Sequence, residues 1–210
     1  MNSTITPGQL ARRVLGRHFE PVGNLYRRIF VDLDKIATSF SAFIPQGAKV
    51  LDIGGGDGAL VNRLLDRRPD LVITMCDLAP AIGSFLSDAN RAKVVCLPAT
   101  DFTQIEGQYD VVTLSDVVHH IPVNDRESFF EELSRSCTRW RCHNLIVKDI
   151  EPEGIRAALA KWTDWYISGE RQVAPFSHSD FTSMAECHFP RSRPTFLMPD
   201  RPNYCELLSW

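Results

Sequence analysis

The stretch Val50-Leu51-Asp52-Ile53-Gly54-Gly55-Gly56-Asp57-Gly58 carries the decisive pattern. A β-rich apolar run over residues 49–53 breaks off into four glycines within five residues. Residues 59–67 then space their apolar side chains as a helix does, and Pro69 stops them. Strand, glycine turn and helix make the opening unit of a parallel α/β sheet. Glycine lets the chain turn tightly at that point and lets a ligand approach the backbone. The helix start offers that ligand unpaired N–H groups and the positive end of its dipole. Without a ligand the glycines would be wasted, at about 0.8–1 kcal/mol each relative to alanine within a helix.

The alternation continues outward from this unit. Apolar runs at 71–78, 92–97, 109–115 and 144–150 read as strands. Helical spacing is expected at 80–89, at 126–137 behind Asn124 or Asp125 as cap, and at 154–168. A shorter helix capped by Ser179 or Asp180 runs to Cys187. Residues 195–198 and 204–208 are strand-like, and their five-residue joint is too short for a helical crossover, so they pair antiparallel. Upstream, Leu10, Val14 and Phe19 give a weak helical stripe. Leu25, Ile29, Leu33, Ile36, Phe40 and Phe43 give a strong one, closed by Pro45. The expected architecture is α/β and Rossmann-like: a mostly parallel sheet with helices on both faces, ending in a hairpin. Residues 1–45 form an N-terminal helical cap or lid and residues 46–210 the main domain.

Composition narrows the function classes. The chain has 210 residues, 44% apolar and 23% charged, ordinary for one globular domain that holds its own core. A net charge of −3 and the lack of a basic, aromatic-interleaved stripe argue against nucleic acid. No apolar run reaches the ~18 residues of a membrane span, and no secretory signal core precedes the fold, so a cytoplasmic protein is expected. The six scattered cysteines read as buried thiols, and Cys137, Cys142 and His143 lack the spacing of a zinc site, so no metal is expected. Residues 1–31 hold five arginines against Glu20, a local +4. That charge is either a solvated helix face or an attractor for an anionic or carrier-bound substrate.

Two cofactors compete for the glycine turn. Gly54, Gly56 and Ala59 fit the dinucleotide pattern G-x-G-x-x-G/A, which is weak alone. Asp52, Gly54, Gly56 and Gly58 match all four positions of the acid-x-Gly-x-Gly-x-Gly loop that holds S-adenosylmethionine. The acid discriminates: a carboxylate repels a pyrophosphate but favours a sulfonium and an ammonium. Asp77, nineteen residues past Gly58 at the end of the second strand, suits the two hydroxyls of a ribose in either cofactor. Its alternative role is a helix cap before Pro80.

From about Ala48 onward the chain resembles the class I S-adenosylmethionine-dependent methyltransferases, with the specific motifs between Val50 and Pro122. The resemblance implies seven strands with the last one antiparallel, in keeping with the terminal hairpin. It implies that Gly54, Gly55 and Gly56 cradle the methionine end of S-adenosyl-L-methionine together with Asp52 and Ser115. It further implies that Leu78 packs on the adenine and that Asp101 and Phe102 hold the adenine amino group and ring. The product would be S-adenosyl-L-homocysteine.

The reacting groups belong beyond the strand ends. Ser115-Asp116-Val117-Val118-His119-His120-Ile121-Pro122 follows the fourth strand, and a histidine there suits a general base near neutrality. His119, with His120 behind it, is the expected catalytic residue; loop orientation is the alternative role. Lys148 and Asp149 form a second rim pair, or else a surface ion pair. The Asn/Asp-Pro-Pro-Tyr signature of methyltransferases acting on base amines or glutamine is absent after the fourth strand. Tyr26, Arg27 and Arg28 either reach the pocket mouth or line a solvated helix face, and Trp162, Trp165 and Tyr166 either form an apolar substrate wall or pack against the sheet. The expectation is a methyltransferase for a small molecule, oxygen first and carbon or nitrogen behind. The alternatives are a non-methylating reaction such as cyclisation on the same fold, a non-catalytic partner subunit and, more distantly, a dehydrogenase.

Overall fold

The computed structural model describes residues 32–150, 174, 176–198 and 203–210. Seven strands form one sheet in the order β3-β2-β1-β4-β5-β7-β6. β1 (Lys49–Ile53), β2 (Val72–Cys76), β3 (Val94–Leu97), β4 (Val111–Ser115) and β5 (Asn144–Ile150) are mutually parallel. β7 (Asn203–Ser209) enters antiparallel between β5 and β6 (Arg193–Met198). The last strand is therefore the antiparallel one. The strand order reverses between β1 and β4, which makes their carboxyl ends the place for a ligand.

Side-chain alternation along the central strands feeds two cores. Leu51, Ile53, Val112, Leu114, Leu145 and Val147 pack against Phe130, Leu133 and Trp140 of α4 (Arg126–Trp140) and Phe181 of α5 (His178–His188). Val50, Ile73, Met75, Val111 and Ile146 pack against Ile36 and Phe40 of α1 (Leu33–Phe43) and Val61, Leu64 and Leu65 of α2 (Ala59–Arg67). Burial on both faces is why these strands read as continuous apolar runs.

The helices follow local rules with instructive departures. Asp32 caps α1, accepting from Lys35 N at 3.0 Å, and Asp34 ties α1 to Arg63 and Arg67 of α2. Phe43 leaves the stripe and is half-exposed, because α1 ends there and Ile44 turns inward instead. Leu25, Ile29 and the earlier stripe lie outside the described residues, as do 154–168, Tyr26, Arg27, Arg28, Trp162, Trp165 and Tyr166. The helix expected over 80–89 does not form; only α3 (Asp88–Arg91) is helical. Gly83 N donates to Gly56 O and Phe85 N to Asp57 O, so these amides brace the glycine turn instead of a helix. α4 runs to Trp140, past the expected end at Cys137, and Trp140 Nε1 finds the Ile105 carbonyl at 2.8 Å. Asp125 is its cap residue, without a side-chain cap bond. The α5 cap is Ser177, whose hydroxyl accepts from Asp180 N while Asp180 accepts from Ser177 N; Ser179 lies inside the helix. All six cysteines are free, but Cys187 is exposed and Cys96 half-buried, so the all-buried expectation fails for two.

Candidate active site

The glycine turn is built for close approach. Gly54, Gly56 and Gly58 all have left-handed φ, at +71°, +50° and +78°. A Cβ on Gly54 would lie 2.5 Å from Val117 Cγ2, and one on Gly55 2.8 Å from Asp52 Oδ2. A Cβ on Gly56 would meet protein no nearer than 3.9 Å, so this residue faces open space. Gly54 N and Gly55 N both donate to Cys76 O, pinning the turn to the end of β2.

Acids surround the turn. Asp77 accepts from Gly56 N at 3.0 Å through one carboxylate oxygen and from Ala79 N at 2.8 Å through the other. Each oxygen keeps a further lone pair for an incoming hydroxyl. Asp52 is buried on β1 and accepts from Thr113 Oγ1 at 2.6 Å. Burial pushes its carboxyl up to about 7, the Thr113 bond opposes the rise, and the charge of Asp77 adds to it. A buried acid so disposed gains by pairing with a cation. The nearby Leu78 is 74% exposed, an apolar surface at the β2 end. Asp101 caps the short 3₁₀ turn Phe102–Gln104, accepting from Thr103 N. The Phe102 ring stands edge-on to Phe129, centroids 5.3 Å apart, and also touches Trp140. Ser115 ends β4, paired in register with Lys148 of β5.

Beyond Ser115 lies a cluster that the sequence presented only in pieces. Asp116 takes φ +59°, an unusual conformation for a side-chain-bearing residue that costs of order 1–3 kcal/mol. Both its oxygens accept from Lys148 Nζ, at 2.5 and 2.7 Å. Burial would raise the Asp116 carboxyl, but Lys148, His119 and His120 together hold it below its ordinary range. Val118–His120 forms a 3₁₀ turn, and there His119 Nδ1 lies 2.6 Å from Asp149 Oδ1. The other Asp149 oxygen accepts from Val118 N and His119 N. The ring of His120 leans on that of His119, centroids 4.0 Å apart.

Lys148 and Asp149 are thus not a surface pair. Both are fully buried, and each takes a different partner on the preceding loop. Arg126 steadies the loop from α4, donating to Ile121 O at 3.1 Å and to Ala174 O, while Ala174 N donates to His119 O. The sequence reading missed the His119–Asp149 and Asp116–Lys148 pairs and the Thr113 bond; only the polar residues at the strand ends could have signalled them. Asp116, His119 and Asp149 also bring one ligand atom each within 4.8 Å of one another. Lys148 already supplies a cation to Asp116 there.

This architecture is the class I methyltransferase fold: a seven-stranded sheet with an antiparallel last strand, a glycine turn after β1 and acids at the ends of β1 and β2. Residues 50–139 match the family model described as a methyltransferase domain. The ubiquinone biosynthesis O-methyltransferase of Acinetobacter baumannii (strain ACICU) is 33% identical over 81 residues, 36% of this chain and 34% of that protein. Mitomycin 7-O-methyltransferase superposes with a TM-score of 0.63 at 22% identity, covering 100% of this chain and 62% of that one. An O-methyltransferase family 2 protein from Planctomyces limnophilus DSM 3776, solved with apigenin, gives 0.62 at 14% identity over 83% of this chain and 57% of that one. The chain therefore spans about a third of the curated relative it matches. No helix among the described residues is long and apolar enough to cross a membrane.

Proposed function

We propose that the chain transfers a methyl group from S-adenosyl-L-methionine to a hydroxyl of a small molecule, with His119 as general base. The observation that carries this reading is the buried His119–Asp149 pair at the carboxyl ends of β4 and β5. Its link to the glycine turn is direct, since Val117, two residues before His119, packs on Gly54. A neutral acceptor amine needs no base in order to attack, whereas an alcohol or phenol must lose a proton. Asp149 accepts a hydrogen bond from Nδ1–H, which fixes the tautomer with its basic lone pair on Nε2. It also stabilises the imidazolium formed when Nε2 takes the acceptor's proton.

The residues present fit the cofactor. The left-handed glycines and the open side of Gly56 allow the backbone to approach it, and the raised carboxyl of Asp52 favours a cationic partner. When bound, S-adenosylmethionine supplies an electrophilic methyl. This chain's part is to hold the acceptor oxygen in line, roughly 3 Å from that methyl, and to take its proton. Gly54, Gly55, Gly56, Asp52 and Ser115 would hold the methionine end, Asp77 the ribose, and Leu78, Asp101 and Phe102 the adenine. The relatives named above as O-methyltransferases support oxygen as the acceptor. The +4 charge of residues 1–31 supports an anionic or carrier-bound one.

The test is incubation with methyl-labelled S-adenosylmethionine and a panel of phenols and hydroxy acids, free and carrier-bound, followed by mass spectrometry. Label on a substrate oxygen with stoichiometric S-adenosylhomocysteine supports the reading. Cofactor-dependent conversion of a substrate without S-adenosylhomocysteine would overturn it in favour of a non-methylating reaction.

A further inference from the structure

A second cluster of ligating side chains lies away from the strand ends. Glu127 sits in the first turn of α4, and Cys187 and His188 close the last turn of α5. His188 Nε2 lies 3.0 Å from Glu127 Oε1, and Cys187 Sγ lies 3.9 Å from the same oxygen. One ligand atom from each of the three residues falls within 4.8 Å of the others. We infer that Glu127, Cys187 and His188 form a three-ligand site for zinc or a similar borderline-soft divalent cation, with water in the fourth position.

Geometry and chemistry both point there. A tetrahedral zinc with bonds of about 2.0–2.3 Å keeps its ligand atoms about 3.3–3.8 Å apart. The observed nitrogen–oxygen and sulfur–oxygen separations bracket that range, so closure on an ion needs only small side-chain adjustments. Glu127 is 64% exposed and free to make them. His188 is the anchored ligand: its side chain is 11% exposed, its ring stacks on Phe130, and its carbonyl accepts from Ser134 Oγ at 2.8 Å. An ordinary surface ion pair would need only Glu127 and His188. The thiol beside them changes the donor set to nitrogen, sulfur and oxygen, which suits zinc and disfavours magnesium or calcium. Cys187 is also the one exposed cysteine of the six. An ion there would clamp α5 to the start of α4, next to Arg126, which braces the His119 loop.

The experiment uses the full chain, stripped with a chelator and titrated with cobalt(II) as a spectroscopic probe and then with zinc. The expected result is one equivalent of tetrahedral cobalt with a thiolate-to-metal charge-transfer band, displaced by zinc, and a rise in Tm with zinc. Cys187→Ser removes the charge-transfer band, and Glu127→Gln and His188→Gln each weaken zinc binding at least about tenfold. The other cysteines are buried or half-buried, so the band reports on Cys187. No thiolate band, or a band unchanged in Cys187→Ser, would overturn the site. So would zinc binding that survives Cys187→Ser and is lost in Asp149→Asn, which would place the ion at the His119 cluster. None of these readouts depends on methyl transfer.

Discussion

His119 Nδ1 and Asp149 Oδ1 stand 2.6 Å apart, with their side chains 7% and 0% exposed. Thirty residues separate them in sequence, and the parallel pairing of β4 with β5 brings them together. A histidine so held has one tautomer and one orientation. His119→Ala is expected to lower kcat at least about tenfold, toward the 10²–10⁴-fold typical of a lost general base, with S-adenosylmethionine affinity nearly unchanged. Asp149→Asn should lower kcat as well and alter the pH–rate profile, because the amide can offer its own N–H to Nδ1 and reverse the tautomer. Steady-state kinetics with separate cofactor titrations check both. Unchanged turnover in His119→Ala would remove it from the chemistry.

Asp77 couples the end of β2 to the glycine turn through Gly56 N. Asp77→Ala is expected to weaken cofactor binding by about 1.5–3 kcal/mol, the value of charge-assisted bonds to hydroxyls. Calorimetry on the folded variant reads this directly, and an unchanged Kd would exclude the ribose role.

Asp52 makes both stability and binding depend on pH. Its carboxyl rises from an ordinary 3.8 to about 7 in the folded chain, so between those values the folded state holds a proton that the unfolded state has lost. The stability it contributes is complete below about pH 4 and falls as pH rises through about 7. Asp52→Asn, keeping a partner for Thr113, should flatten that fall and raise Tm at pH 8 without cofactor. In the parent chain, cofactor affinity should rise with pH through about 7, since the cation pairs with the carboxylate. Thermal melts and calorimetry across pH 5–9 test both slopes.

Lys148 is fully buried against Asp116. Asp116→Ala leaves that ammonium without its acidic partner and is expected to destabilise the fold, by less than the ~3–5 kcal/mol of a fully buried pair because the Asp116 side chain is 35% exposed. Adding Lys148→Met should recover most of the loss. Denaturant melts of the two single variants and the double variant decide it, and additive losses would contradict the coupling.

Gly54 cannot carry a side chain. Gly54→Ala combines a left-handed φ with a Cβ 2.5 Å from Val117 Cγ2, so the turn must shift and take the His119 loop with it. Both cofactor affinity and kcat should fall, and Gly54→Ala with Val117→Ala should recover only part, because the strain at φ +71° remains.

Much of this molecule could be read from one dimension. Fully buried parallel strands announce themselves as apolar runs, and β5 is legible from Leu145, Ile146 and Val147 near its centre. The glycine turn was legible because left-handed backbone and close approach leave few other residues possible. Residues 80–89 were misread as helix because their apolar spacing is genuine while their amides serve the carbonyls of Gly56 and Asp57. Helix capping by Ser177 was missed for a neighbour two residues on, since a serine-rich start offers several equivalent oxygens. At the site, His119 was visible as a residue type in the right loop. Its bond to Asp149 and that of Asp116 to Lys148 depend on strand register, which no local pattern encodes.

The claim beneath these predictions is that the turn from Gly54 to Gly58, with Asp52 and Asp77 beside it, grips a cationic nucleoside thioether. Calorimetric titration of the full chain with S-adenosylmethionine, and separately with NAD, tests it most directly. The account predicts one saturable site for S-adenosylmethionine, weakened in Asp77→Ala, and no comparable binding of NAD. Tight NAD binding with no heat from S-adenosylmethionine would contradict it.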